Sequence, residues 1–415
     1  MANAVLVTLH TGSMYLSTAF RSLKHRNFSL FFFGQLVSRV GMWMQRTAVI
    51  WVVYTITHSA FMIGVATFAE QFPSFLFSIR GGIIADKYDR YKVILLTQLL
   101  SALQAVLLTL FAFSGNYQIW MILSLSVFLG IVNAYDVPVR QSMVNDIVEN
   151  RDDLSNAVAL NSSLNTLARL IGPAIAGFVL AHYSASFCFL ANAVSFTAVI
   201  VSILAMRYPG TSRSERIQQS RGNFRATISY LKENKPIATV IWIAGLSSFF
   251  VLSYVTLLPV YAKDIFKGDA TTYGWLNSSL GVGAIAGSLY LAILQKEANF
   301  RRILLLNTFL TGISLFLFAY SHNFYLSLVF SAVSGFGSVC QTSVIMTIIQ
   351  SETTAAFRGR VVSLLAMAMF GMLPLGSLLV GYLAPLIGEP HTLFIQGVIA
   401  LFIGAIFYKN LTYQS

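Results

Sequence analysis

The chain has little charge. Of its 415 residues 10% are Asp, Glu, Lys or Arg, against 56% hydrophobic, and the mean hydropathy is +0.71. A water-soluble fold has no use for that much apolar surface, because a single core stops growing well below this length. Soluble globular classes are excluded on that ground. Acids are the scarcer sign, 15 against 27 bases, leaving a net charge of +12. The two cysteines, Cys188 and Cys340, lie inside apolar runs and read as small buried hydrophobes, not as a disulfide or metal pair. No HExxH, nucleophile elbow or G-x-x-x-x-G-K-[ST] loop occurs, and no hydrophilic domain exists to house one. No enzyme, metal site, cofactor or built-in ATP motor is therefore expected.

What the chain does have is apolar runs of the length that spans a hydrocarbon layer, about 20 residues each. Twelve such windows are bounded by charge or by Gly, Pro, Asn and Ser: 28–55, 59–82, 91–113, 118–138, 155–181, 184–206, 237–262, 272–295, 301–320, 324–349, 360–387 and 391–410. Backbone groups in lipid are satisfied by helices or closed barrels. Runs such as "VILLTQLLSALQAVLLTLFAF" lack the alternation of barrel strands, so helices are expected. The expected fold is an all-α polytopic membrane protein with twelve transmembrane helices.

Basic residues orient it. Arg21, Lys24 and Arg26, the 2/3 loop, the 4/5 loop, the stretch from Arg207 to Lys235, the 8/9 and 10/11 loops and Lys409 together hold 22 of the 27 bases, while the opposite side has Lys263 and Lys267. The positive-inside rule then places both termini in the cytoplasm and makes the net charge a topology signal, so no nucleic-acid partner is expected. The first 27 residues show no small-x-small cleavage site and read as an uncleaved tail.

The longest polar stretch, "RYPGTSRSERIQQSRGNFRATISYLKENK", divides the windows six and six. The expected organisation is a cytoplasmic tail (1–27), a six-helix bundle (28–206), a basic cytoplasmic linker (207–235), a second six-helix bundle (236–410) and a short C-terminal tail (411–415). Within the linker "FRATISYL" reads as a short amphipathic segment. Pro173 and Pro374 stand 201 positions apart, each near the middle of its window, as interrupted helices do in duplicated transporters. Two six-helix pseudo-repeats are expected.

One turn between windows two and three, "GGIIADKYDRYK", concentrates charge that topology alone does not require. Its Gly82, Asp86, Lys87 and Arg90 resemble the 2/3-loop signature of the major facilitator superfamily. The resemblance implies that fold over the whole chain, and a cytoplasmic gate: a latch that closes the cytoplasmic side in the outward-facing state. Gly82 would permit close helix approach and Asp86 would pair with Arg90. Asp89 stands where the family has Gly, and the matching turn of the second half, "LYLAILQKEANFRRI", has no aspartate. "ARLIGPAIAG" resembles the family's fifth-helix antiporter motif through Gly172, Pro173 and Gly177, with Ala168 and Ala176 replacing glycines; small residues plus proline imply tight, kinked helix packing. "DVPVRQSMVNDIVENRDDLSNAVALN" and "FRGRVVSLLAM" resemble the drug and siderophore export branch, which includes enterobactin exporters and macrolide efflux proteins.

Ionisable residues at mid-bilayer cost about 2.5 kcal/mol or more and mark function by default. Arg39 lies 12 residues beyond Asn27, and Glu70 12 residues before Gly82, each roughly 18 Å from the cytoplasmic edge, so an Arg39–Glu70 pair is expected; Arg169, at roughly 21 Å, joins them. Arg46 shares the face of Arg39, and Asp136 with Arg140 is placed at the end of window four. Glu70 is the expected proton carrier and Asp136 the second candidate; a fixed ion pair between helices is the competing reading. Arg39, Arg46 and Arg169 give the expected substrate cavity surplus positive charge, and Asn277, Gln341, Tyr254, Phe249, Phe250 and Trp275 supply its other wall. The expected function is a monomeric secondary transporter in the bacterial cytoplasmic membrane. It exchanges protons for a small amphipathic or anionic substrate, a siderophore or drug, across the lipid bilayer. An importer of a siderophore, nutrient or lysophospholipid is the alternative.

Overall fold

The computed structural model describes residues 20–115, 118–148, 150–207, 224–294 and 298–412. The tail through residue 19, residues 208–223 of the linker and residues 413–415 lie outside them. Among the described residues there is no strand. The chain runs through long helices: α1 (Arg26–Thr57), α2 (Ala60–Lys87), α3 (Arg90–Phe113), α4 (Ile119–Ile147), α5 (Leu154–His182) and α6 (Ala185–Ala205). A short α7 (Phe224–Glu233) precedes α8 (Lys235–Ile265), α9 (Ala270–Ala292), α10 (Phe300–Ala319), α11 (Phe324–Glu352), α12 (Ala355–Ile387) and α13 (Glu389–Thr412). Ten of these are long and apolar enough to cross a membrane; α1 and α9 have the length, 32 and 23 residues, but carry more polar side chains.

Helix starts are written locally. Ser59 accepts from the Met62 amide, Asn323 from that of Leu326, and Asp269 forms a capping box with Thr272. Asp89 accepts the Tyr91 amide at 2.9 Å, so the residue that replaces the family's glycine works as the N-cap of α3. Several helices outrun their hydropathy windows: α2 continues to Lys87 and α4 to Ile147. Hydropathy marks the hydrocarbon slab, whereas the helix stops where its caps and backbone bonds stop.

The segment α8 is irregular where the other long helices are continuous α-helix. It is α-helical to Leu246, makes a π turn over Ser247–Val251, tightens to 3-10 over Leu252–Leu257 and widens again over Tyr261–Ile265. Two buried glutamines brace it: Gln396 of α13 donates to the Phe250 carbonyl at 2.9 Å and to Ser253 Oγ at 3.2 Å, and Gln341 of α11 donates to Ser247 Oγ at 2.9 Å. Such wide turns expose carbonyls that a straight helix would satisfy itself.

Among the first six helices α1 packs on α5 and α6, α2 on α4, and α3 on α4 and α6; after α7, α8 packs on α12, α9 on α11, and α10 on α11 and α13. Two seams join the earlier helices to the later ones, α5 against α9 and α2 against α12. Both are built from small residues in backbone contact. A Cβ on Gly177 would stand 2.8 Å from the Ala270 carbonyl oxygen, one on Gly274 2.7 Å from that of Pro173, and one on Gly64 2.5 Å from that of Ser377. At the same end Trp51 stacks on Tyr273 (5.7 Å, 17°) and the Tyr54 hydroxyl donates to Asp264. Toward the other end, which carries the basic turns, the α2 seam parts. Phe75 still covers Gly371, but Gly82, seven residues on along the same stripe, has nothing within 4 Å of where a Cβ would stand. The α2–α12 seam is closed at one end and open at the basic end.

Candidate functional site

Polar residues from α1, α2 and α5 meet half-way along the bundle. Glu70 is held on α2 where that helix touches α4 backbone to backbone: a Cβ on Gly130 would fall 2.3 Å from the Glu70 carbonyl. Pro73, three residues on, removes one helical hydrogen bond beside it. The Glu70 carboxylate pairs with Arg46 Nε at 3.4 Å, both side chains part-exposed. This corrects the expected Arg39–Glu70 pair. The depth count took Gly82 as the end of α2, whereas the helix runs five residues further; measured from the 58–59 turn, Arg46 and Glu70 are level.

Arg39 instead donates to Asn165 Oδ1 at 3.3 Å, and the indole of Trp43 donates to the same oxygen at 3.4 Å. Trp43 is shared further: the guanidinium of Arg46 lies 5.3 Å from its ring centre and that of Arg169 5.8 Å. Two arginines thus flank one indole and a third shares its asparagine, with the Glu70 carboxylate paired to one of them. Two phenols of the second bundle complete the group, Tyr254 of α8 within electrostatic reach of Arg169 and Tyr273 of α9 within reach of Arg46. Trp43, Asn165 and Tyr273 are absent from the sequence-derived set. Trp43 was findable, lying four residues after Arg39 and three before Arg46 on one helical face.

Asp136 departs from its expected place. It lies 11 residues inside α4, not at the end, and is buried with Arg140 Nη1 at 2.6 Å, Thr97 Oγ1 at 2.8 Å and Gln98 Nε2 at 2.7 Å. Glu70 is therefore not the sole acid at depth. On the second bundle Gln341 is buried and engaged with Ser247 and Thr308, Asn277 donates to the Tyr273 carbonyl at 3.3 Å, and Trp275 is exposed beside Leu170 and Ile171 on an outer groove. Of that expected wall, Tyr254 lies within electrostatic reach of Arg169.

At the basic end Arg90 does more than the signature suggests. It makes a bidentate bond to Asp146 of α4 (2.8 and 2.9 Å) and donates to the Ala85 carbonyl at 3.1 Å, tying the end of α2 to α4. Asp86 lies at 3.9 Å from Arg90 with its side chain 57% exposed, and Lys87 sits 5.6 Å over the Tyr88 ring. Gly82 faces open space, contrary to the expected close approach; its neighbour Gly81 makes that approach, where a Cβ would fall 1.9 Å from the Ala134 carbonyl. Pro138 frees that carbonyl by leaving its i−4 bond unmade, and a glycine gives it room. On α5, a Cβ on Gly172 would stand 2.5 Å from Trp43 Cβ, so the Gly172, Pro173, Gly177 stripe packs α1 on one side and α9 on the other.

A family model described as transmembrane secretion effector matches residues 17–414. The chain belongs to that family. It is a drug and siderophore exporter branch of the major facilitator superfamily, whose members are transporters and not enzymes. The chain is 29% identical to the staphyloferrin A transporter of Staphylococcus aureus over 91% of its length and 94% of the relative's. It is 23% identical to macrolide efflux protein A of Streptococcus pyogenes, over 92% and 96%. The fold matches that of the POT family transporter PepTSo with a TM-score of 0.73 at 12% identity, covering 94% of this chain and 99% of that one. This is a multi-pass membrane transporter of the major facilitator fold.

Proposed function

We propose that this family member is a proton-driven exporter of a small amphipathic or anionic organic molecule, a siderophore or drug. It works as a monomer in the bacterial cytoplasmic membrane with both termini and the cleft facing the cytoplasm. The helix pairs α1–α5, α2–α4 and α3–α6 recur as α8–α12, α9–α11 and α10–α13, which supports a doubled six-helix unit of twelve spans. The excess of Lys and Arg at the cleft end supports the orientation.

The observation that carries the reading is the Glu70–Arg46 pair set in a row of arginines at the head of the cleft. In the cleft, anionic groups of the substrate rest on Arg39 and Arg169, and a donor or cationic group of the substrate takes Glu70. A proton arriving from outside occupies the same carboxylate after release. One acid serving proton and substrate in turn gives exchange. Asp136 is the poorer carrier, because protonating it means releasing Arg140, Thr97 and Gln98 together, whereas Glu70 has one long contact to surrender. In the outward-facing state Gly82, Asp86, Lys87 and Arg90 close the cytoplasmic rim, with Arg90 already anchored to Asp146.

The surplus of guanidinium over carboxylate favours a second reading for a wholly anionic substrate. That anion displaces Glu70 from Arg46, the displaced carboxylate takes up a proton, and the two travel together, as an importer would use them. Proteoliposomes with an imposed pH gradient separate these outcomes, using a labelled macrolide and a labelled carboxylate siderophore. Export against a gradient is expected to fall more than about tenfold in Glu70→Gln, while counterflow without a gradient persists. Unchanged uphill transport in both Glu70→Gln and Arg39→Ala overturns the coupling role.

A further inference from the structure

The geometry points to a second binding site, for one small monovalent anion, buried inside the first bundle behind Arg39. Its pocket lies among α1, α3, α4 and α6 and is lined by Gln35, Arg39, Gln98, Asn133, Asp136 and Arg140, with about 20 Å³ of free space. That is room for one water or one chloride-sized ion.

Charge and donor balance choose the ion. Two guanidiniums face one carboxylate, leaving a formal +1. Asp136 is fully engaged, one oxygen by Arg140 and the other by Thr97 and Gln98. Arg39, close enough to feel both Asp136 and Arg140, has no carboxylate within ion-pair distance among the described residues, and its bond to Asn165 uses one of five N–H donors. Gln35, 2% exposed, points a buried Nε2 that has no acceptor among the described residues. Gln35 Nε2 therefore lacks an acceptor in a pocket whose charged side chains sum to +1. Water would supply the acceptor and leave the charge; a halide or a carboxylate oxygen supplies the acceptor and offsets the charge as well. Placed between Gln35 Nε2 and Arg39, it gives the buried amide the acceptor it lacks and balances the surplus guanidinium charge. The occupant is inorganic halide, or a carboxylate arm of the cargo reaching past Arg39.

Thermal unfolding of the purified full-length protein tests this in chloride, bromide, acetate and gluconate at matched ionic strength, gluconate being too bulky to enter. The wild type is expected to gain several degrees, saturably, in chloride and bromide, and crystals soaked in bromide to show an anomalous peak beside Gln35. A saturable shift with acetate alone assigns the same site to a carboxylate arm. Gln35→Leu is expected to lose the shift. Gln35→Glu supplies a tethered carboxylate and is expected to unfold at or above the chloride-saturated wild type, indifferent to added anion. Equal midpoints in all four anions, or a Gln35→Glu protein that unfolds far below wild type, overturn the proposal. Neither result depends on transport direction or on Glu70.

Discussion

Single residues decide more here than residue types do. Gly81 and Gly82 are adjacent and alike in sequence, yet one abuts the Ala134 carbonyl and the other faces open space. Gly81→Ala is expected to destabilise by about 1–3 kcal/mol through overpacking, and Gly82→Ala to stay within about 0.5 kcal/mol, read as thermal midpoints of the purified proteins. The acids around Arg90 divide likewise. Asp146 is bidentate and nearly buried, Asp86 long and exposed, so Asp146→Asn is expected to cost about 1–3 kcal/mol and Asp86→Asn under about 0.5 in this conformation. Denaturation of the two variants side by side checks it. The sequence showed which charges are costly enough to matter, but not which partner each takes. Arg39 and Arg46 stand seven residues apart on one face, and a depth count that ends α2 five residues early exchanges them, as it did for Glu70.

At the scale of the element, the hydropathy windows located the long helices because lipid forces helices and charge bounds them. Their ends were not legible: the last turns of α2 and α4 lie beyond the slab, where composition turns polar while the backbone remains helical. Nor was the shape of α8. "SSFFVLSYVTLLPVYAKDI" reads as another apolar run, and its π and 3-10 turns depend on glutamines from α11 and α13 that are remote in sequence. Gln396→Leu is expected to leave the Phe250 carbonyl and Ser253 hydroxyl short of a donor and lower stability by about 1–3 kcal/mol. Changed amide-exchange protection over 247–257, with α10 unaffected, is the measurement that reads it locally.

For the whole molecule, the conformation rests on an α2–α12 seam that is tight at Gly64 and open at Gly82. Labelling single cysteines with a membrane-impermeant maleimide checks it, in a background lacking Cys188 and Cys340, both buried. Gly82→Cys, in the cleft, is expected to react more than about tenfold faster than Ser377→Cys, which is 2% exposed on the closed α2–α12 seam. Similar rates at both sites would mean that the resting protein does not hold this arrangement. The seams themselves set how the arrangement reverses. Where glycine lies flat on a facing main chain, there is no tongue in a groove and no rotamer that must first let go. Two such plates slide apart or come together without melting the order of either, so what holds their lean is the few side chains that meet across the closed end, the Trp51–Tyr273 stack and the Tyr54–Asp264 bond.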